Sequence, residues 1–118
     1  MPKDYSRSSR IADQIQRELA ELIHREVNDP RAAMVTITGA EVTRDLSYAK
    51  IFISTLDSRH SIEEVVDALN KASGFLHHLL RDRMTSHCVP RLTFYHDKSI
   101  EEGMKIDALL SGLDKDNG

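Results

Sequence analysis

The chain has 118 residues, of which 40% are hydrophobic and 30% charged, and its formal net charge is −3. This length and balance indicate one globular domain with a modest core, and they exclude a disordered chain and a uniformly basic nucleic-acid binder. The single cysteine, Cys88, excludes an intrachain disulfide, and no apolar stretch is long enough to cross a membrane. The N-terminus lacks the apolar core of a secretion signal, so we expect a cytoplasmic protein.

The charges are unevenly distributed along the chain. Residues 73–91 contain three arginines and three histidines against a single acid, Asp82. Residues 97–118 instead carry six acids and three lysines. This asymmetry predicts a basic face with acidic ends, which the net charge conceals.

The sequence predicts a loose basic arm over residues 1–7, one globular domain over 8–113 and a disordered tail over 114–118. Ser8 or Ser9 is the expected N-cap of a first helix. The apolar residues of this helix recur at helical spacing: Ile11, Ile15, Leu19, Leu22, Ile23 and Val27. Asn28-Asp29-Pro30 ends the helix, because proline lacks the N–H that the next helical hydrogen bond requires.

Alternating apolar and polar residues predict two strands, over 34–42 and 48–55, with a turn at 43–47. Gly39 indicates a bulge or a close backbone approach in the first strand. One face of the second strand is expected to be buried, and its residues are Ala49, Ile51 and Ile53. Its other face consists of Tyr48, Lys50 and Phe52. Neighbouring strands with a short connection are expected to form a hairpin.

The centre of the chain, residues 68–84, predicts two short helices that meet at Ala72-Ser73-Gly74. Ser61 and Glu64 form a capping box for the first of them. Gly74, His78 and Arg81 share one face of the second helix. The opposite face is expected to be buried, and its residues are Phe75, Leu76, Leu79 and Leu80.

A glycine at such a junction lets another backbone approach, and the N-terminus of the following helix attracts phosphate. Lys71 stands directly before the junction. The exposed face is therefore either the basic surface of a protein that reads a nucleic-acid backbone or the solvated side of an ordinary helical hairpin. The residues alone leave both interpretations open.

The rest of the chain predicts one more strand and one more helix. After a loop at 85–90, the strand over 91–95 has Leu92 and Phe94 facing inward and Thr93 and Tyr95 outward. Ser99 and Glu102 form a second capping box, at the start of the last helix. The order of elements predicts an α+β domain in which the helices cover one face of a three-stranded sheet and leave the other solvated.

Six segments, which keep their order and cover the chain from about residue 7 to 110, resemble the ribosome-binding factor A family. They are Asn28-Asp29-Pro30-Arg31, Arg44-Asp45-Leu46-Ser47-Tyr48-Ala49-Lys50, Ala72-Ser73-Gly74-Phe75, Val89-Pro90-Arg91-Leu92-Thr93-Phe94, Asp97-Lys98-Ser99 and Glu102-Gly103-Met104. The resemblance implies a KH-like domain of the second topology, in which the kink at residues 72–74 replaces a GxxG loop. It also implies a non-catalytic assembly factor that binds the free small ribosomal subunit and its ribosomal RNA during late maturation. Such factors support processing of that RNA and growth in the cold, and we expect a monomer without a cofactor.

With this resemblance, the predicted RNA-binding residues fall at the kink, on the second helix of the pair, around the last strand and on the first helix. They are Lys71, Ala72, Ser73, Gly74, His77, His78, Arg81, His87, Arg91, Arg7, Arg10 and Arg17. His77 and His87 stand where the family commonly has arginine, so the charge at both positions depends on pH. Tyr48 and Tyr95 either stack on bases or pack within the sheet. With so few aromatic residues, we expect recognition of RNA shape or backbone rather than of bases.

The sequence predicts neither a metal site nor a catalytic site. Its six histidines and one cysteine show no CxxC or HExxH spacing, and no GxxxxGK phosphate-binding loop is present. Two alternatives to the ribosomal function remain: a KH-like module for another RNA or for single-stranded DNA, and a small protein–protein adaptor that uses the acidic last helix. The adaptor is distinguishable by salt, because phosphate contacts make affinity fall steeply with salt concentration.

Overall fold

The computed structural model describes residues 6–56, 59–85 and 89–99. The elements in these ranges are α1 (Arg7–Glu26), a 3₁₀ helix (Pro30–Ala32), β1 (Val35–Val42), β2 (Tyr48–Thr55), α2 (Ile62–Lys71), α3 (Ser73–Arg81) and β3 (Arg91–His96). The predictions for residues 1–5, for His87, for the helix after Ser99 and for the tail lie outside the described residues.

The three strands form one mixed sheet in the order β1-β2-β3. β1 and β2 pair antiparallel as the predicted hairpin, and their register shifts between Ile37 and Gly39, which confirms the bulge. Leu46, in the connecting turn, adopts a φ of 64°. β2 and β3 pair in parallel, because the intervening α2 and α3 return the chain to the same end of the sheet.

The core lies between the helices and one face of the sheet. The predicted stripe of α1 is buried from Ile11 to Ile23, and Ala49, Ile51 and Ile53 of β2 are each at most 1% exposed. Leu92 and Phe94 of β3 are buried against them. The predicted α+β, KH-like fold with a helix-kink-helix is thus confirmed. None of the helices that the structure describes is long and apolar enough to cross a membrane.

The first helix begins earlier than predicted. The Ser6 hydroxyl, rather than that of Ser8 or Ser9, accepts the capping hydrogen bond from the Ser9 N–H at 3.2 Å. The Ser6 carbonyl accepts the Arg10 N–H at 3.1 Å. All three serines are competent caps, and the one at position 6 allows the longest helix. Arg7 is consequently a helical residue rather than part of a loose arm.

The prediction that Phe75 is buried is wrong. Its side chain is 50% exposed, whereas Leu76 and Leu80 are completely buried. Because neighbouring residues of a helix point about 100° apart, a helix that buries Leu76 turns Phe75 toward its edge. α3 also ends at Arg81, before the predicted end at Met84, and the Leu80 carbonyl accepts the N–H groups of both Arg83 and Met84 in a turn.

Candidate nucleic-acid interface

The kink between α2 and α3 and the outer edge of β3 border one open groove of about 510 Å³. Its lining residues are Asn70, Ser73, Gly74, His77, Arg91, Leu92 and Thr93. Four of the predicted RNA-binding residues, at positions 73, 74, 77 and 91, are therefore brought together here. None of these lining residues is acidic, so the part of the chain that the structure describes presents no carboxylate to an anionic ligand in the groove.

The N-terminus of α3 forms the helical side of this groove. α2 ends at Lys71, and Ala72 alone separates it from Ser73, where α3 begins. Among the described residues, no side chain caps the start of α3. The partial positive charge of a helix N-terminus is consequently directed toward the groove without a competing side-chain acceptor.

Gly74 lies at this N-terminus with space around it. A Cβ built on Gly74 would meet no atom within 4 Å, and the residue does not have a positive φ. Neither packing nor backbone conformation among the described residues therefore requires glycine at this position. The open space at Gly74 can admit the backbone of another molecule, which is the role that the sequence analysis predicts for this glycine.

The edge of β3 forms the other side of the groove. The Asn70 amide group donates from Nδ2 to the Phe94 carbonyl at 3.1 Å, and its Oδ1 accepts the Phe94 N–H at 2.8 Å. Because the backbone groups of a strand alternate between its two sides, Leu92 presents its N–H and carbonyl in the same direction as Phe94. Leu92 lines the groove. A ligand there consequently meets a backbone donor and an acceptor.

His77 has a structural partner as well as a place in the groove. Its ring Nε2 lies 3.0 Å from the Val89 carbonyl oxygen, and the residue is half-buried. This hydrogen bond connects α3 to the segment that leads into β3. The side chain is therefore positioned by the fold rather than free on the surface.

The other predicted cations among the described residues lie outside the groove. Lys71 is 74% exposed, and its Nζ lies 3.1 Å from the Asp67 carboxylate. His78 and Arg81 are exposed on the same face of α3 as Gly74, as predicted. Position 72 is the kink itself.

The arginines of α1 are all exposed, and two of them are near the end of α3. Arg10 and Arg17 lie four residues before and three residues after Gln14, so the three side chains share one face of the helix. Gln14 donates from Nε2 to the Arg83 carbonyl at 3.4 Å. The two arginines therefore border the α1–α3 contact, whereas Arg7 stands at the start of the helix.

Arg83 is neutralised by carboxylates rather than available to a ligand. Its Nη1 lies 3.1 Å from Glu18 and 2.7 Å from Glu21, so it ties the turn after α3 to α1. The hydrogen bond from Arg83, with a further one from Arg25, lowers the pKa of Glu21. Because the pair is partly exposed, its contribution to stability is modest.

Sequence reasoning missed Asn70 as a groove residue and Phe75 as an exposed aromatic beside Gly74. Asn70 binds a strand 24 residues away, and no local pattern marks such a contact. The sequence analysis assigned the adjacent residues Phe75 and Leu76 to one buried face, although neighbouring residues of a helix point about 100° apart. Among the described residues, no group of three or more histidines, cysteines or acids is placed to hold a metal ion.

The family follows from comparison with known proteins. The model of the family described as ribosome-binding factor A matches residues 7–110. The chain belongs to this family. Ribosome-binding factor A of Nitrosomonas europaea is 50% identical over 110 residues, which cover 93% of this chain and 94% of the relative. Ribosome-binding factor A of Nitrosomonas eutropha is 47% identical, with the same coverage.

Solved structures of ribosome-binding factor A share the fold. The crystal structure from Thermus thermophilus has a TM-score of 0.67 at 26% identity and covers 75% of this chain and 94% of that one. A solution structure of a ribosome-binding factor A homologue from Thermotoga maritima has a TM-score of 0.67 at 29% identity and covers 84% of this chain and 94% of that one. A homology model of the Thermus thermophilus factor, fitted into a cryo-electron-microscopy map of a 30S complex, has a TM-score of 0.62 at 26% identity and covers 74% of this chain and 91% of that one.

Proposed function

We propose that this protein is a non-catalytic assembly factor that binds the free small ribosomal subunit during late maturation and supports processing of its RNA. The observation that carries the proposal is the groove between the uncapped N-terminus of α3 and the edge of β3, whose described lining residues include no acid. Membership of the ribosome-binding factor A family supports the ribosome as the partner, as does a relative fitted into a 30S complex. The protein acts in the cytoplasm as a monomer and uses no cofactor.

The groove recognises the ribosomal RNA backbone by phosphate binding at the kink. The N–H groups at the start of α3 and the helix dipole attract one phosphate, and Gly74 leaves room for the sugar-phosphate chain to approach. Arg91 offers a guanidinium from the opposite wall, and the Leu92 backbone offers a donor and an acceptor. Such contacts read the backbone rather than the base sequence.

The proposal is tested with Gly74→Asp against its matched control Gly74→Asn, which has the same size without the charge. We expect the aspartate variant to bind free small subunits more than about tenfold more weakly than the asparagine variant, because it places like charge at the phosphate position. Its folded state is not weakened, since helix N-termini accommodate acids. Equal affinities of the two folded variants would remove the kink from the binding site.

Sedimentation with ribosomal particles distinguishes the free small subunit from the alternative partners. The protein should co-migrate with free small subunits and be absent from whole ribosomes. Co-migration with neither, together with binding to unrelated single strands, would favour a module for another RNA or for DNA. Binding to small subunits that hardly responds to salt would favour an adaptor for ribosomal proteins, because phosphate contacts impose a steep salt dependence.

A further inference from the structure

The face of the sheet opposite the helices carries aromatic and basic side chains in neighbouring rows. Tyr48 of β2 pairs with Arg91 of β3, Lys50 with Thr93, and Phe52 with Tyr95. Tyr48 is 55% exposed and Tyr95 42% exposed. The described helices pack on the other face, so the side chains of this face do not belong to the core between the helices and the sheet.

One of the aromatic side chains is held in place by another. The rings of Phe52 and Tyr95 lie with centroids 6.0 Å apart and planes tilted by 35°. This contact limits the rotation of Tyr95 and leaves the rest of its ring open to solvent. Tyr95 therefore presents a preorganised aromatic surface rather than a mobile side chain.

The charge of this face suits an anion. Lys50 and Arg91 are both exposed, and Glu41 of β1, opposite Lys50, is the one acid among the β1–β3 residues that share this face. Lys50 and Arg91 make the end of the face beside the groove basic, whereas Asp97, which accepts a hydrogen bond from the Thr38 hydroxyl, places a second carboxylate beyond Tyr95. The face is also continuous with the groove at the kink, because Arg91 and Thr93 belong to both.

We propose that this open sheet face is a stacking platform for unpaired nucleotides of the same RNA strand that enters the groove at the kink. Bases stack on aromatic side chains whatever their sequence, and the neighbouring cations bind the phosphates. Tyr48 and Phe52 are four residues apart, about 13 Å at the usual strand rise, which gives space for two or three bases. The inference rests on the proposed function, since it extends the site where that function places the RNA backbone.

The test compares Tyr48→Leu and Tyr95→Leu with Tyr48→Phe and Tyr95→Phe in binding to free small subunits. Each leucine variant should bind at least about fivefold more weakly, and each phenylalanine variant should bind as the unaltered protein does, because the stacking surface is retained. The slope of log affinity against log salt should stay unchanged in the leucine variants, since no phosphate contact is lost. Leu56→Ala, which removes an apolar side chain that is 85% exposed beyond the end of β2, is the matched control and should bind normally.

Ultraviolet crosslinking of the complex identifies what the face touches. We expect crosslinks from the peptides containing Tyr48 and Tyr95 to ribosomal RNA bases, and their loss in the leucine variants. Normal affinity of both leucine variants would overturn the platform, and the proposed function would stand if Gly74→Asp still binds more weakly than Gly74→Asn. Weaker subunit binding accompanied by crosslinks only to ribosomal protein would also overturn it and assign the face to a protein contact.

Discussion

At the scale of single residues, the Asn70 amide makes the hydrogen bonds with the edge of β3 that a neighbouring strand would otherwise make. Its amide satisfies both the N–H and the carbonyl of Phe94. We expect Asn70→Ala to lower the free energy of unfolding by about 1–3 kcal/mol, because it leaves a part-buried donor and acceptor without partners. Urea unfolding measures this change.

Asn28→Ala is the matched control, since Asn28 is exposed and follows α1. Its urea transition should stay close to that of the unaltered protein. If both alanine variants unfold at the same urea concentration, the Asn70 amide contributes nothing to the edge of the sheet.

The ion pair between Asp29 and Arg31 makes the stability of the fold depend on pH in the acidic range. Hydrogen bonds from the Arg31 side chain and backbone lower the Asp29 pKa from 3.8 to about 2. Because the pKa is lower in the folded state, this contact stabilises the protein fully above about pH 4 and is lost as the pH falls toward 2. Asp29→Asn should therefore show a shallower loss of stability between pH 4 and 2, measured by thermal unfolding at each pH.

The acid sensitivity of the Asn variant should not disappear completely. The Ser99 hydroxyl, and then the Thr38 hydroxyl, lower the pKa of Asp97 to about 2 as well, so a second carboxylate titrates in the same window. An identical pH profile for Asp29→Asn and the unaltered protein would contradict the assigned role of the Asp29–Arg31 pair.

At the scale of elements, glycine at the kink makes the fold less stable than another residue at the same position would. Gly74 has helical geometry and open space around it, so Gly74→Ala should raise the free energy of unfolding by about 0.5–1 kcal/mol through reduced backbone freedom in the unfolded chain. Chemical denaturation checks the sign. A destabilised alanine variant would show that the fold itself requires glycine here, which would remove the argument that the space serves a ligand.

The elements were predictable where their signals are local. The Ser61 hydroxyl accepts the Glu64 N–H three residues later, and Gly39 stands at the bulge, so sequence neighbours carry both features. The partners of His77 and Asn70 are 12 and 24 residues away and depend on how α2, α3 and β3 pack together. For the same reason the sequence named four residues that line the groove, Arg91 of β3 among them, but not Asn70 or the backbone edge of β3 at Leu92.

At the scale of the whole molecule, some arginines are paired with carboxylates and others are exposed without an ion pair among the described residues. Arg25, Arg31 and Arg83 each lie within 3.1 Å of a carboxylate. Arg17 and Arg81 have no ion pair within residues 6–56, 59–85 and 89–99 and are exposed. A net charge of −3 is therefore compatible with RNA binding, because the acids are partly occupied by cations that do not face the ligand.

This difference in ion pairing predicts which cations contact RNA phosphates. Each lost phosphate contact lowers the slope of log affinity against log salt by about one unit, so Arg17→Ala and Arg81→Ala should each flatten the titration of small-subunit binding. Arg25→Ala removes the same charge from α1 but breaks the pair with Glu21, at 3.0 Å, and should leave the slope unchanged. If all three variants lower the slope equally, attraction is diffuse over the surface, and the cations beside α3 have no special role in binding.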